Sequence, residues 1–176
     1  DPIAIVRASV HNGLARRIVS GASTITQQLV RLLYEDEVLE FKNREMSNKR
    51  KIKEARLAVQ LEKHYSKEEI FEAYANYIYF GHGRFGIVEA SRYYFSKELK
   101  DLTILEAALI AALIKSPARF SPIEREKSAT ERRNRVLMLM TENKFITEEE
   151  YKQFNLEPIK LNIAKTDPSF AYAKDF

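Results

Sequence analysis

GASTITQQLVRLL, residues 21–33, opens on small residues and continues with the spacing of a helix. Projected at about 100° per residue, Thr24, Gln28 and Arg31 fall within about 60° of one another, so one side of this helix is a polar row. Ser23 stands where the helix starts, and there free backbone N–H groups and the positive end of the dipole favour anions. The row has two readings, a solvated face or the wall of a site for a polar ligand.

The rest of the chain reads as helix as well. Periodicity predicts helices over residues 2–12, 23–34, 46–64, 67–77, 86–94, 103–114, 128–142 and 147–153. Four Ser/Thr-x-x-Glu capping boxes punctuate them: Ser66 with Glu69, Thr103 with Glu106, Ser128 with Glu131, and Thr147 with Glu150. Glu106 is therefore read as a cap before it is read as a catalytic group. No segment alternates with a period of two between turn residues, so strands should be few and short. From Asn155 onward the pattern dissolves into an extended tail with two prolines.

At 176 residues the chain suits one domain, and 45% hydrophobic with 31% charged residues describes a folded one. A net charge of +4 fits anionic partners without requiring them. Cysteine is absent, which removes disulfides and thiolate metal sites. His11, His64 and His82 lack ligand-like spacing, so no protein-built metal site is expected. The apolar run LTILEAALIAALI, residues 102–114, is too short to span a bilayer and contains Glu106; it reads as a buried core helix. No secretion signal opens the chain, and any membrane anchor is expected outside it.

GHGRFG, residues 81–86, matches a dinucleotide fingerprint literally, but the preceding residues read as helix and no parallel sheet is in prospect. Its glycines suit a tight, positive-φ loop. KRKIKEARLAVQLEKHY, residues 49–65, is more telling. The helical projection sets Glu54 among Leu57, Ala58, Leu61 and Tyr65, with Arg50 and Lys51 one turn earlier. A carboxylate on an apolar face is costly unless paired. Functional carboxylates and structural ion pairs both look like this.

Taken in order, GASTITQQLVR, KRKIKE, KEEIFEAYANYIYFGHG and ERRNRVL resemble the motifs of the peptidoglycan glycosyltransferases (glycosyltransferase family 51). These are the cell-wall polymerase domains of class A penicillin-binding proteins and of monofunctional transglycosylases. The resemblance covers residues 1–155. It implies a mainly α, lysozyme-like fold with a large head lobe and a small membrane-facing jaw. It also implies polymerisation of lipid II into β-1,4 glycan strands by inverting transfer, with release of undecaprenyl pyrophosphate, at the outer face of the bacterial cytoplasmic membrane. Glu54 would correspond to the second family glutamate, which assists at the donor pyrophosphate. Arg31, Gln28 and Lys51 would hold phosphate and sugar groups, with Ser23 and Thr24 at the helix start and Arg50 as a further contact. A divalent cation, Mg or Mn, could arrive with the pyrophosphate; no organic cofactor is implied. The partners would be lipid II, the growing lipid-linked glycan and the membrane surface, with no nucleic acid.

There are departures. The family's first motif, which holds the general base, is expected upstream of DPIAIVRA, so this polypeptide is expected to bind but not to turn over. Ala75 stands where a leucine is usual, and the stretch between Arg31 and Arg50 is long. Residues 156–176 resemble the linker toward a transpeptidase domain. Two rivals stand beside this reading. One is a lysozyme-like muramidase, which has no use for a pyrophosphate-binding row. The other is a basic helical module for nucleic acid, for which no recognisable motif is present.

Overall fold

A hydroxyl side chain closes the first turn of four of the seven α-helices among the described residues. The computed structural model describes residues 23–34 and 44–164. Within them lie α1 (Ile25–Leu33), α2 (Arg44–His64), α3 (Lys67–Tyr77), α4 (Ile87–Phe95), a 3-10 turn (Leu99–Asp101), α5 (Ile104–Leu113), α6 (Glu126–Glu142) and α7 (Glu148–Leu156). The Thr103 and Thr147 boxes form as expected, each hydroxyl accepting from the third helical N–H while the glutamate reaches back. Ser66 and Glu69 do the same ahead of α3. Each such cap is worth about 1 kcal/mol.

The Ser128 box does not form. α6 already begins at Glu126, so Ser128 lies inside its first turn. The chain turns earlier, where the Ser121 hydroxyl accepts from the N–H of Glu124 at 3.2 Å. A box absent from the expectations appears at α1: Thr24 accepts from the N–H of Gln27, whose side chain accepts from the N–H of Thr24. Thr24 is thus the cap and Ser23 precedes it.

The chain divides into two units, at Tyr77 and Ile78. In the first, α1 packs against both α2 and α3, burying Leu29, Val30, Ala58, Ile70 and Tyr74. In the second, α5 is the centre. It buries Ala108, Leu109, Ile110, Ala112 and Leu113 and packs on α6 and α4, which is why its sequence is apolar nearly all round. Among the described residues no helix is long and apolar enough to cross a membrane. Ala108, Leu137 and Ile146 join α5, α6 and the start of α7, with Leu105, Tyr151 and Phe154 around them.

Pairing between extended segments is confined, among the described residues, to one antiparallel bridge, Tyr79 with Phe85. It closes the glycine loop, in which Gly81, Gly83 and Gly86 all have positive φ. Gly81, at φ +94°, is tightly enclosed: a Cβ there would sit 3.2 Å from both Pro117 Cβ and the Tyr94 hydroxyl, and those neighbours would have to give. That hydroxyl donates to the Phe80 carbonyl at 2.9 Å, so the loop is pinned to α4.

The tail differs from expectation at its start. α7 continues through Asn155 to Leu156, and the extended chain begins only after it. That chain then runs back to α4, where the N–H groups of Asn162 and Ala164 donate to the Tyr94 and Tyr93 carbonyls, both at 2.9 Å. The expected helix over 2–12 and the linker reading of residues 165–176 lie outside the described residues.

Gly81→Ala should lower stability by about 1–2 kcal/mol through left-handed strain alone, more with the contact, read as a lower denaturant midpoint. A second test uses Glu106, which accepts from Lys97 Nζ at 2.8 and 2.9 Å. Burial pushes the Glu106 carboxyl up, but Lys97 and the Thr103 bonds together hold it below its ordinary 4.5. A depressed carboxylate stabilises the fold above its unfolded pKa, and that stability is lost as pH falls through the folded value. Lys97→Met should therefore cost stability at about pH 7, with the deficit shrinking by about pH 3, as denaturant midpoints at the two values will show.

Candidate functional site: a carboxylate between two arginines

In the first unit, the carboxylate of Glu54 is held by guanidinium groups from two helices. Glu54 sits mid-way along α2 with its side chain only 2% exposed. Arg31, in the last turn of α1, donates from Nε to Oε1 at 3.1 Å and from Nη2 to Oε2 at 3.2 Å. Arg50, one turn before Glu54 on α2, donates from Nη1 to Oε1 at 2.6 Å. The fork-to-fork pairing with Arg31 fixes direction as well as distance. Each Glu54 contact comes from a donor, so the carboxylate serves as an acceptor in this arrangement.

The local sequence explains the placement. Thr24 sets where α1 begins, and seven residues later Arg31 reaches the C-terminal end, where a cation meets the negative end of the dipole. Leu29 and Val30 bury against the unit's core, which turns Arg31 toward α2. A second link joins the same helices: the Thr26 hydroxyl donates to Glu62 Oε1 at 2.6 Å. Two guanidinium groups and one carboxylate leave an excess of one positive charge. Arg31 is 42% exposed and Arg50 22%, so the side of each not facing Glu54 meets solvent. An anion arriving from solvent finds a fixed cationic edge there.

Gln28 lies one turn before Arg31 and is engaged by α3, where the buried Tyr74 hydroxyl donates to its Oε1 at 3.1 Å. Burial raises the Tyr74 pKa, so the phenol keeps its proton. The cavity of about 710 Å³ in this unit sits at the other end of α1, lined by Thr24, Thr26, Glu62, Tyr65, Ile70 and Phe71 among others. Glu54, Arg31 and Arg50 do not line it. Thr24 and Arg31 are about 10 Å apart along the helix, so the polar row runs from that cavity toward the ion cluster.

The expected residues thus separate. Glu54, Arg31 and Arg50 converge; Gln28 is adjacent along α1; Thr24 caps and faces the cavity; Ser23 is half-buried just before it. Lys51 is exposed, whereas Arg50 takes the contact with Glu54. Sequence reasoning missed Tyr74 and Thr26. Thr26 lies off the polar row, and the Tyr74–Gln28 bond joins residues 46 apart. The Thr24–Gln27 box was legible, because glutamine serves at its fourth position as glutamate does. Among the described residues no group of three or more His, Cys, Asp or Glu could hold a metal.

The transglycosylase family model matches residues 1–141. The chain belongs to that family. Penicillin-binding protein 1A of Aquifex aeolicus is 45% identical over 159 residues, covering 90% of this chain and 21% of that protein. Penicillin-binding protein 1F of Bacillus subtilis is 41% identical over 150 residues, 85% of this chain and 20% of that protein. The crystal structure of penicillin-binding protein 1A from Haemophilus influenzae aligns with a TM-score of 0.53 at 41% identity, over 60% of this chain and 16% of that one. The chain thus spans about a fifth of these two relatives. Family membership makes it a glycosyltransferase domain of the peptidoglycan type, and the mainly helical architecture agrees.

Arg50→Met would leave Glu54 buried with one cation instead of two, and should cost about 2 kcal/mol. Lys51→Met, one residue away and exposed, should stay within about 0.5 kcal/mol of the parent. Paired denaturation curves separate the two.

Proposed function

We propose that this domain elongates a glycan strand by transferring it from a polyprenyl diphosphate to the 4-hydroxyl of an incoming lipid II, with inversion. The observation that supports this reading is the Glu54 carboxylate fixing Arg31 and Arg50 from two helices with their outer edges open to solvent. As the sugar–oxygen bond breaks, negative charge grows on the departing diphosphate. Guanidinium groups already held in place stabilise that charge without reorganising at the moment of reaction. Glu54 acts through them: it gives the arginines their direction and lowers the cost of keeping two like charges close.

Along α1, Gln28 and Thr24 extend the contact surface from the diphosphate toward the sugars, and the cavity beside Thr24 gives room for a saccharide or its peptide. Inversion requires a base on the opposite face of the reacting sugar, well separated from the leaving group, as in inverting glycosidases. A divalent cation enters this scheme only as a companion of the diphosphate, since both Glu54 oxygens already accept from arginine. With donor and acceptor both lipid-linked, the proposed reaction runs at a membrane surface, and the outer face is the one the family resemblance implies. A muramidase would need no diphosphate-binding edge.

In the full-length protein, Glu54→Gln should lower polymer synthesis from lipid II at least about 100-fold with the helical content unchanged. Near-normal synthesis by that variant would remove the ion cluster from the mechanism, and release of reducing sugar from finished peptidoglycan would instead favour hydrolysis.

A further inference from the structure

We propose that Tyr74 is a positioning residue that turns the Gln28 amide so that its N–H donors, and not its carbonyl, face the substrate diphosphate. This rests on the reading that α1 lines the substrate site. An unrestrained glutamine can present either end of its amide, and the two ends recognise opposite partners. Here the carbonyl end is taken: Tyr74 donates to Gln28 Oε1 at 3.1 Å. Oxygen and nitrogen stand about 120° apart on the planar amide carbon, so fixing the oxygen toward the Tyr74 hydroxyl turns the nitrogen to another side.

The donor is well suited to this task. Tyr74 is 3% exposed, on the face of α3 that packs against α1, and its ring is part of the unit's core. Rigid packing fixes where the hydroxyl points, and burial keeps the phenol protonated as a donor. Gln28 itself is half-buried and lies one turn before Arg31. Its N–H groups therefore continue the donor edge made by Arg31 and Arg50. The result is a strip of donors only, matched to a ligand group that offers only acceptors, and a diphosphate is such a group. A ligand hydroxyl could pair with either amide end and would have no need of this restraint.

The test is steady-state kinetics of glycan polymerisation by the full-length protein on lipid II. Tyr74→Phe should raise KM about tenfold with kcat much less affected, as expected for a lost orienting bond in the bound state. In a Gln28→Ala background the same substitution should add nothing, because the amide it orients is gone. Gln28→Glu keeps an acceptor for Tyr74 but removes both donors and adds a negative charge. It should be worse than Gln28→Ala, and it probes the strip even if Tyr74→Phe unfolds the domain. Full additivity of Tyr74→Phe with Gln28→Ala, or wild-type KM in Gln28→Glu, would overturn the proposal. If Glu54→Gln abolishes synthesis while Tyr74→Phe leaves KM unchanged, only the positioning role fails. If Glu54→Gln is silent too, the reading of the site fails with it.

Discussion

A buried carboxylate shared by two arginines is the constraint on which the first unit rests. Glu54 would be costly where it stands if it were alone, since a desolvated anion needs both charge compensation and filled acceptor positions. Arg50 supplies its share from within α2, but Arg31 supplies the rest only if α1 and α2 keep a single relative register. The same bonds that make the burial tolerable therefore fix the helices, and with them the proposed substrate surface. Replacing such a cluster with apolar residues can be neutral for stability. Both arginines keep part of their guanidinium open to solvent while they hold Glu54.

The phase of α1 is decided at its cap. Thr24 closes the capping box with Gln27, and from that start Thr26, Gln28 and Arg31 each reach a different partner: Glu62, Tyr74 and Glu54. Slipping the helix by one residue would rotate all three by about 100° and break every one of these bonds. A short helix of nine residues has little stability of its own, so it depends on this set of contacts to hold one orientation. Polar side chains thus act together with the buried Leu29 and Val30 in fixing the orientation of α1.

Much of this was legible in residues 21–33 and 49–65. Helical period and an inward-facing glutamate are local properties, and local spacing reports them well. Their meaning was not local. Spacing left Glu54 open between a functional carboxylate and a structural ion pair, and only the resemblance in motif order pointed to a diphosphate. The sequence could not distinguish Arg50 from Lys51 as the partner of Glu54, because both lie within one turn of it. Arg50 takes the contact through a single Nη1 donor at 2.6 Å, four residues before Glu54, and that choice appears only in three dimensions. Tyr74 was invisible for another reason, since its partner lies in a different helix with α2 between them in the chain. Ser128 failed as a cap because the turn at Ser121 starts the helix early, and a box pattern inside a helix carries no information about where it begins.

The return of residues 157–164 to α4 has a mechanical meaning. Two main-chain bonds, from Asn162 and Ala164, together with the Ser96 hydroxyl on the Asn162 carbonyl, fasten this segment to the last turn of α4 and its cap. Tension applied to the polypeptide beyond Ala164 would load those bonds first, before any force reached α5 or α6. Parallel loading of several bonds resists pulling better than opening them one at a time. The attachment therefore ties residues 162–164 to the second unit through main-chain and side-chain bonds together.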